Sequence, residues 1–316
     1  MRVPRLPVAL ALFVLALLAG IAAVSASFVT YYPLHFFTLL SAPQEVKDMV
    51  FVVDNGSSSS LVRVLHGGLE IQTFEHSQIL YVERATDQTV ALVVQKGSGA
   101  IDVARVENKK LIPLTDDGAQ KGGVAFSPHG SYFAYTVLEP LDSSGMENVD
   151  AATVNEVFFP QRFQIKVHSK DGVFVKSFVG NHPFFFDDET LGFFSERGME
   201  TYNFVTGDTT YVADGITSLV QNRPYFGRNN TMIVRNPVSE ELMVFEFTNT
   251  PPLTYRFVGI LPDSADGFAL SRGQSVFQGL RIGDSFIIRA FDDFSKDPVE
   301  IFSLPASFFN PSSAVF

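Results

Sequence analysis

Two short apolar strands joined by a Ser-Pro-x-Gly turn run through Val124–Val137, and degraded copies of this unit recur along the chain. Phe126 marks the end of its first strand, with Ser127, Pro128 and Gly130 forming the turn. Phe185–Phe194, Phe226–Val234, Leu270–Phe277 and Phe309–Phe316 align with it, and Val82–Val93 is a weaker copy. The markers fall at 82, 126, 185, 226, 270 and 309, so the intervals are 44, 59, 41, 44 and 39. A period near forty residues with several short strands per unit is the signature of propeller blades. The long interval holds an insertion, Glu139–Gln161, which is rich in acids and small polar residues.

One unit can be read strand by strand. His182–Phe186, Leu191–Ser195, Glu200–Phe204 and Thr209–Val212 alternate with short, mostly Gly-containing turns, which predicts a four-stranded antiparallel blade. Helical periodicity is weak beyond Val50. Strand-like segments at Val50–Val53, Leu61–Leu65 and Leu69–Phe74 have no first-strand motif before them, while the chain stops just after one. A C-terminal inner strand joining the N-terminal outer strands would close the ring and pair edges otherwise left open. The expected fold is all-β, a six-bladed β-propeller of four-stranded antiparallel blades over residues 44–316. One N-terminal hydrophobic helix is expected before it, within residues 1–43.

Val124–Val137, and more loosely Phe185–Phe194, resembles the TolB-type, WD40-like (PD40) propeller repeat, whose usual form is an aromatic-Ser-Pro-Asp-Gly turn followed by an apolar strand. His129 stands where that family usually has Asp, and the other copies lose the Ser-Pro. The resemblance covers about residues 50–316 as a repeat pattern. It implies a fold; because the family includes periplasmic scaffolds and the propeller halves of peptidases, it does not imply one function.

Arg2 and Arg5 precede an apolar run from Val8 to Val24, and no Lys, Arg, Asp or Glu occurs between Arg5 and Glu45. Residues 7–26 would make a helix of about 30 Å, enough to span a bilayer, with the arginines on the cytoplasmic side. Tyr31, Tyr32, Phe36 and Phe37 then read as an interfacial belt. An uncleaved anchor is favoured over cleavage after Ala26, because the core is longer than that of a signal peptide. Either reading places the propeller outside the cytoplasm, membrane-anchored in the first and secreted or periplasmic in the second. With no cysteine, disulfides and thiolate metal sites are excluded. The net charge of −11 argues against nucleic acid as a partner. The 32 Phe and absent Trp read as core filling by side chains with no polar atom to satisfy.

Second-to-third-strand loops and between-blade loops leave a blade on the same edge of the disc. The insertion therefore shares an edge with Asp116, Asp117, Lys121, Asn181, His182, Asn222 and Arg223. The candidate binding residues are Asp117, Lys121, Asp142, Glu147, Asp150, His182 and Arg223, since long loops on rigid scaffolds often carry function. The spacing of Asp142, Glu147 and Asp150 does not match a calcium loop, and no pair of histidines has metal-ligand spacing. No nucleophile elbow or phosphate loop is present, so neither catalytic residues, cofactor nor metal is expected. The expected function is a propeller binding or scaffold module for a protein or cell-envelope polymer. The alternative is a propeller hydrolase or lyase with a polar site at the channel mouth.

Overall fold

A computed structural model describes residues 47–54, 58–65, 68–85, 88–94, 99–138, 163–213, 225–227, 230–236, 239, 241–248, 254–261, 267–272, 275–294, 296–306 and 311–315. The strands are β1 (Val50–Asp54), β2 (Ser58–Leu65), β3 (Gly68–Glu75), β4 (Gln78–Ala85), β5 (Gln88–Val94), β6 (Ile101–Glu107), β7 (Lys110–Pro113) and β8 (Lys121–Phe126). They continue as β9 (Tyr132–Leu138), β10 (Phe163–Ser169), β11 (Phe174–Val179), β12 (Asn181–Phe185), β13 (Thr190–Ser195), β14 (Gly198–Asn203), β15 (Thr209–Ala213) and β16 (Tyr225–Phe226). The last are β17 (Thr231–Arg235), β18 (Leu242–Phe247), β19 (Tyr255–Leu261), β20 (Gly267–Arg272), β21 (Ser275–Ile282), β22 (Ser285–Phe291), β23 (Val299–Pro305) and β24 (Pro311–Val315). The chain is an all-β propeller. Among the described residues the strands form six four-stranded sheets, β24-β1-β2-β3, β4 to β7, β8 to β11, β12 to β15, β16 to β19 and β20 to β23.

Period-two alternation explains how these sheets assemble. On β1, Val50 and Val52 pack against Ile79 and Ala104 of the second sheet, while Phe51 and Val53 pack against Phe277 and Ile288 of the sixth. Each later junction repeats the arrangement. Val103 meets Val124 and Tyr135; Ala134 and Ile165 meet Leu191 and Phe193; Phe184 and Phe194 meet Met232 and Phe245; Ile233 and Val244 meet Ala269 and Phe291. The apolar layers thus follow one another around a closed ring. Fully burying a Phe or Leu side chain stabilises by about 1.5–3 kcal/mol.

Closure is by backbone pairing of β24 with β1, with Val50 opposite Val315 and Phe51 opposite Ala314. The terminal segment differs from expectation in register. The inner strand is Pro311–Val315, and the marker Phe309 lies outside the described residues. Pro311 has no N–H to donate, and it occupies the bulged end of the pairing, opposite Val53, where a missing donor is tolerated. The other markers lie within inner strands or at their ends, and the blade read over 182–212 corresponds to β12 to β15 with ends shifted by one or two residues. The helix expected over residues 7–26 lies outside the described residues; among those described, no helix is long and apolar enough to cross a membrane.

Antiparallel connection puts alternate loops on alternate edges of the ring. Residues 114–120, 139–162, Gly180 and 214–224 connect strands on one edge, termed the insertion edge; 127–131 and 186–189 connect them on the other.

Gly192 lies opposite Phe184, whose ring covers it and stacks on Phe226 at 3.9 Å between centroids. A Cβ at Gly192 would fall 2.2 Å from that ring. Gly192→Ala is therefore expected to lower stability by about 2–3 kcal/mol, seen as a lower urea midpoint. Gly118→Ala meets no atom within 4 Å and pays only for its positive φ of 68°, so its loss should be about 1 kcal/mol.

Candidate functional site at the insertion edge

The insertion leaves the ring between Leu138 and Phe163, which pair directly across β9 and β10. These stems are held from the neighbouring connections: the Leu138 amide donates to the Gln120 carbonyl at 3.0 Å, and the Gly180 amide to the Phe163 carbonyl at 2.9 Å. Beside them, Lys121 opens β8 opposite Val137. Its side chain is fully buried, and its ammonium donates to Asp102 Oδ1 at 3.0 Å, to the Ala119 carbonyl at 3.0 Å and to Asp117. All three ammonium donors are thereby used, which a buried cation requires. Asp102 also accepts from Thr115 Oγ1 at 3.2 Å, and Thr115 Oγ1 in turn accepts the Val103 amide at 3.0 Å. Lys166 stands 3.8 Å from the outer oxygen of Asp117.

Burial alone would raise the Asp117 carboxyl. The hydrogen bonds from Lys121 and the Ala119 amide, with the charges of Lys121 and Lys166, hold it below its ordinary value. Tyr135 lies on the same sheet face, its hydroxyl 3.2 Å from His168 Nε2. Burial, then the negative charges of Asp117 and Asp102, push its phenol up to about 12. The arrangement is a rigid, charge-compensated footing for the loop above it.

Of the candidate binding residues, Asp117 and Lys121 are brought into one ion pair, with Asp117 partly exposed and Lys121 sealed. Asp142, Glu147, Asp150 and Arg223 lie outside the described residues. Asp102, Lys166 and Tyr135 escaped the sequence reading. A usable signal was an acid at an interior position of an apolar strand, Ile101-Asp-Val103, close before a lysine that opens the next inner strand.

His182 lies in β12, as its strand reading expected, and not in the between-blade loop, because Gly180 alone separates β11 from β12. Its backbone takes a φ of 50° at a bulge, its amide donates to Asn181 Oδ1 at 2.7 Å, and Asn181 Nδ2 lies 3.3 Å from its Nε2. Nδ1 is buried without a partner. Burial lowers this imidazole to about 4, so it is neutral in the folded protein near pH 7. His129 is on the opposite edge, where its ring and amide bind Asp188.

The innermost strands also border a small cavity of about 40 Å³. Its walls come from β4, β8, β12 and β16 with the turn after β8: Phe126, Pro128, Pro183, Phe184, Phe185, Tyr225 and Phe226, with Glu83 and Arg84 as the charged members. It thus occupies the channel toward the edge away from the insertion. Among the described residues no group of three or more His, Asp or Glu could hold a metal ion.

No family model matches this chain, and no curated protein matches it in sequence. Solved structures do match in fold. TolB from Acinetobacter baumannii superimposes with a TM-score of 0.52 at 12% identity, over 84% of this chain and 64% of TolB. This chain therefore spans somewhat less than two thirds of TolB. A protein of unknown function from Desulfotomaculum acetoxidans matches at TM-score 0.47 and 16% identity, over 80% of this chain and 81% of that one. An oligogalacturonate lyase in complex with manganese matches at TM-score 0.46 and 12% identity, over 78% of this chain and 74% of the lyase. At these identities the likeness to TolB is one of fold.

Two measurements test the site. Lys121→Met strands Asp102, which is 2% exposed, and is expected to destabilise by about 3–5 kcal/mol. Combining it with Asp102→Leu should recover much of that loss, read from urea midpoints of both variants. Because His182 in the folded chain titrates at about 4, below its unfolded value of about 6.5, the unfolded chain binds the proton first. Its contribution is complete above pH 6.5 and is lost as pH falls toward 4, with a slope of at most about 1.4 kcal/mol per pH unit. His182→Asn, which tolerates the positive φ, should flatten the stability profile across that window.

Proposed function

We propose that this chain is an exported binding or scaffold propeller, tethered by residues 7–26, that recognises a protein or cell-envelope polymer through the insertion edge. The observation that carries this reading is the footing of the 139–162 segment. Its paired stems stand beside a buried ion cluster built on Lys121, and long segments on rigid scaffolds are where binding residues concentrate. Asp142, Glu147 and Asp150 give the segment the acidic character of a surface that selects partners by charge.

Deleting residues 140–159 tests the proposal. Crosslinked pull-down from solubilised membranes should lose specific partners, while the urea midpoint stays within about 1 kcal/mol of the parent because loop length contributes little to stability. An unchanged partner set with an intact fold would sink this reading.

A further inference from the structure

We infer that the open edge of β11 receives an extended, acidic segment of a partner protein, which joins the third sheet as a fifth strand. β11 is the outermost strand of that sheet, and among the described residues no strand pairs with its other side. Its pairing with β10 fixes which backbone groups face outward. The Gly180 amide donates to the Phe163 carbonyl at 2.9 Å, and Val179 stands opposite Gln164 and Ser177 opposite Lys166. Opposed residues of an antiparallel pair alternate between bonded and non-bonded. Ser177 and Val179 are therefore of the non-bonded kind, and turn N–H and C=O away from β10 toward the open edge. The hairpin is held at both ends, by the Gly180 bond and by the Lys170 amide donating to the Ser131 carbonyl at 2.9 Å. An edge so fixed has little left to order when a strand is added.

Sheet edges are ordinarily blunted with proline, charge or bulges. Among the outermost strands, β7 and β23 end in Pro113 and Pro305, and β3 carries Glu70 and Glu75. β11 has no proline and no acid. Four of the fourteen large apolar side chains exposed among the described residues, Val173, Phe174, Val175 and Val179, lie on it or directly before it. Its bulge falls at Val175 and leaves Lys176–Val179 in regular register. Lys176, its one charge, lies sideways over the Tyr202 ring at 4.1 Å. Charge selects the occupant. Residues 163–179 hold Lys166, Lys170 and Lys176 against Asp171 alone, in a chain of net charge −11. A carboxylate opposite Lys176 gains a cross-strand pair, while apolar residues on the other face of the same strand meet Phe174 and Val179. A second copy of β11 instead brings Lys176 near its own equivalent, and a net charge of −11 toward an equal one. The inference is separate from the reading of the insertion edge, and either can fail without the other.

The probe is a short fluorescein-labelled peptide alternating valine with glutamate, titrated into the full chain and followed by anisotropy. It should bind, and a counterpart alternating valine with lysine should bind at least about tenfold more weakly. Hydrogen exchange should slow at the Ser177 and Val179 amides when the glutamate peptide is present. Ser177→Pro removes a donor that β10 does not use, where proline is tolerated on an edge strand. It should keep the parent urea midpoint yet weaken the glutamate peptide about tenfold, the effect of one lost backbone hydrogen bond. Lys176→Glu leaves the backbone intact and should weaken the glutamate peptide while strengthening the lysine one. Deleting residues 140–159 should leave the peptide bound. No binding, equal binding of both peptides to the parent and to Lys176→Glu, or protection at other amides instead overturns the inference. So does dimerisation of the chain that Ser177→Pro abolishes, which assigns the edge to a second copy.

Discussion

No sheet of this chain can bury its own side chains. The burial of β1 shows the constraint: Val50 and Val52 need a neighbour on one side, Phe51 and Val53 need another on the opposite side. An isolated sheet with apolar residues on both faces would leave one of them in water, so the sheets must stack, and stacked twisted sheets curve. A ring satisfies every face without an end. Pairing of β24 with β1 then makes the first sheet from strands far apart in sequence, so closure of the ring depends on that one pairing.

The same sealing controls what can be done with charge. Where the second and third sheets meet, Lys121 is placed by its position at the head of an inner strand, and burial there is tolerable only because two carboxylates and a carbonyl absorb its three donors. The cluster links the 114–120 connection, β6 and β8 on the edge from which the insertion departs. His182 shows the opposite solution. It has no countercharge, so the imidazole stays neutral, at the expense of sensitivity to acid.

The repeat was legible because turn chemistry is local. Ser127, Pro128 and Gly130 encode a turn wherever they stand, and Gly130 does take a positive φ, of 74°. Closure by the C-terminal strand was legible from the absence of a first-strand motif ahead of Val50. The register of that strand was not, because Pro311 looks like a turn residue in sequence and becomes a strand residue only beside β1. Asp117 and Lys121 were found as charges of a between-blade loop that shares an edge with the insertion. Their conversion into a buried pair depends on Asp102, nineteen residues earlier and on another sheet. His182 was read both as the start of a strand and as part of a between-blade loop, because a connection of one glycine between sheets is shorter than the usual loop lengths.

The channel follows from the ring in turn. Inner strands that converge cannot all pair with one another, and whatever they leave between them must be filled or lined. Here the lining is aromatic, and it depends on glycine: Phe184 covers Gly192 and reaches Phe226 because no Cβ stands in the way. The polar footing of the insertion faces the other edge of the disc. One ring thus places aromatic packing between sheets toward one edge and the buried charges that foot the insertion at the other.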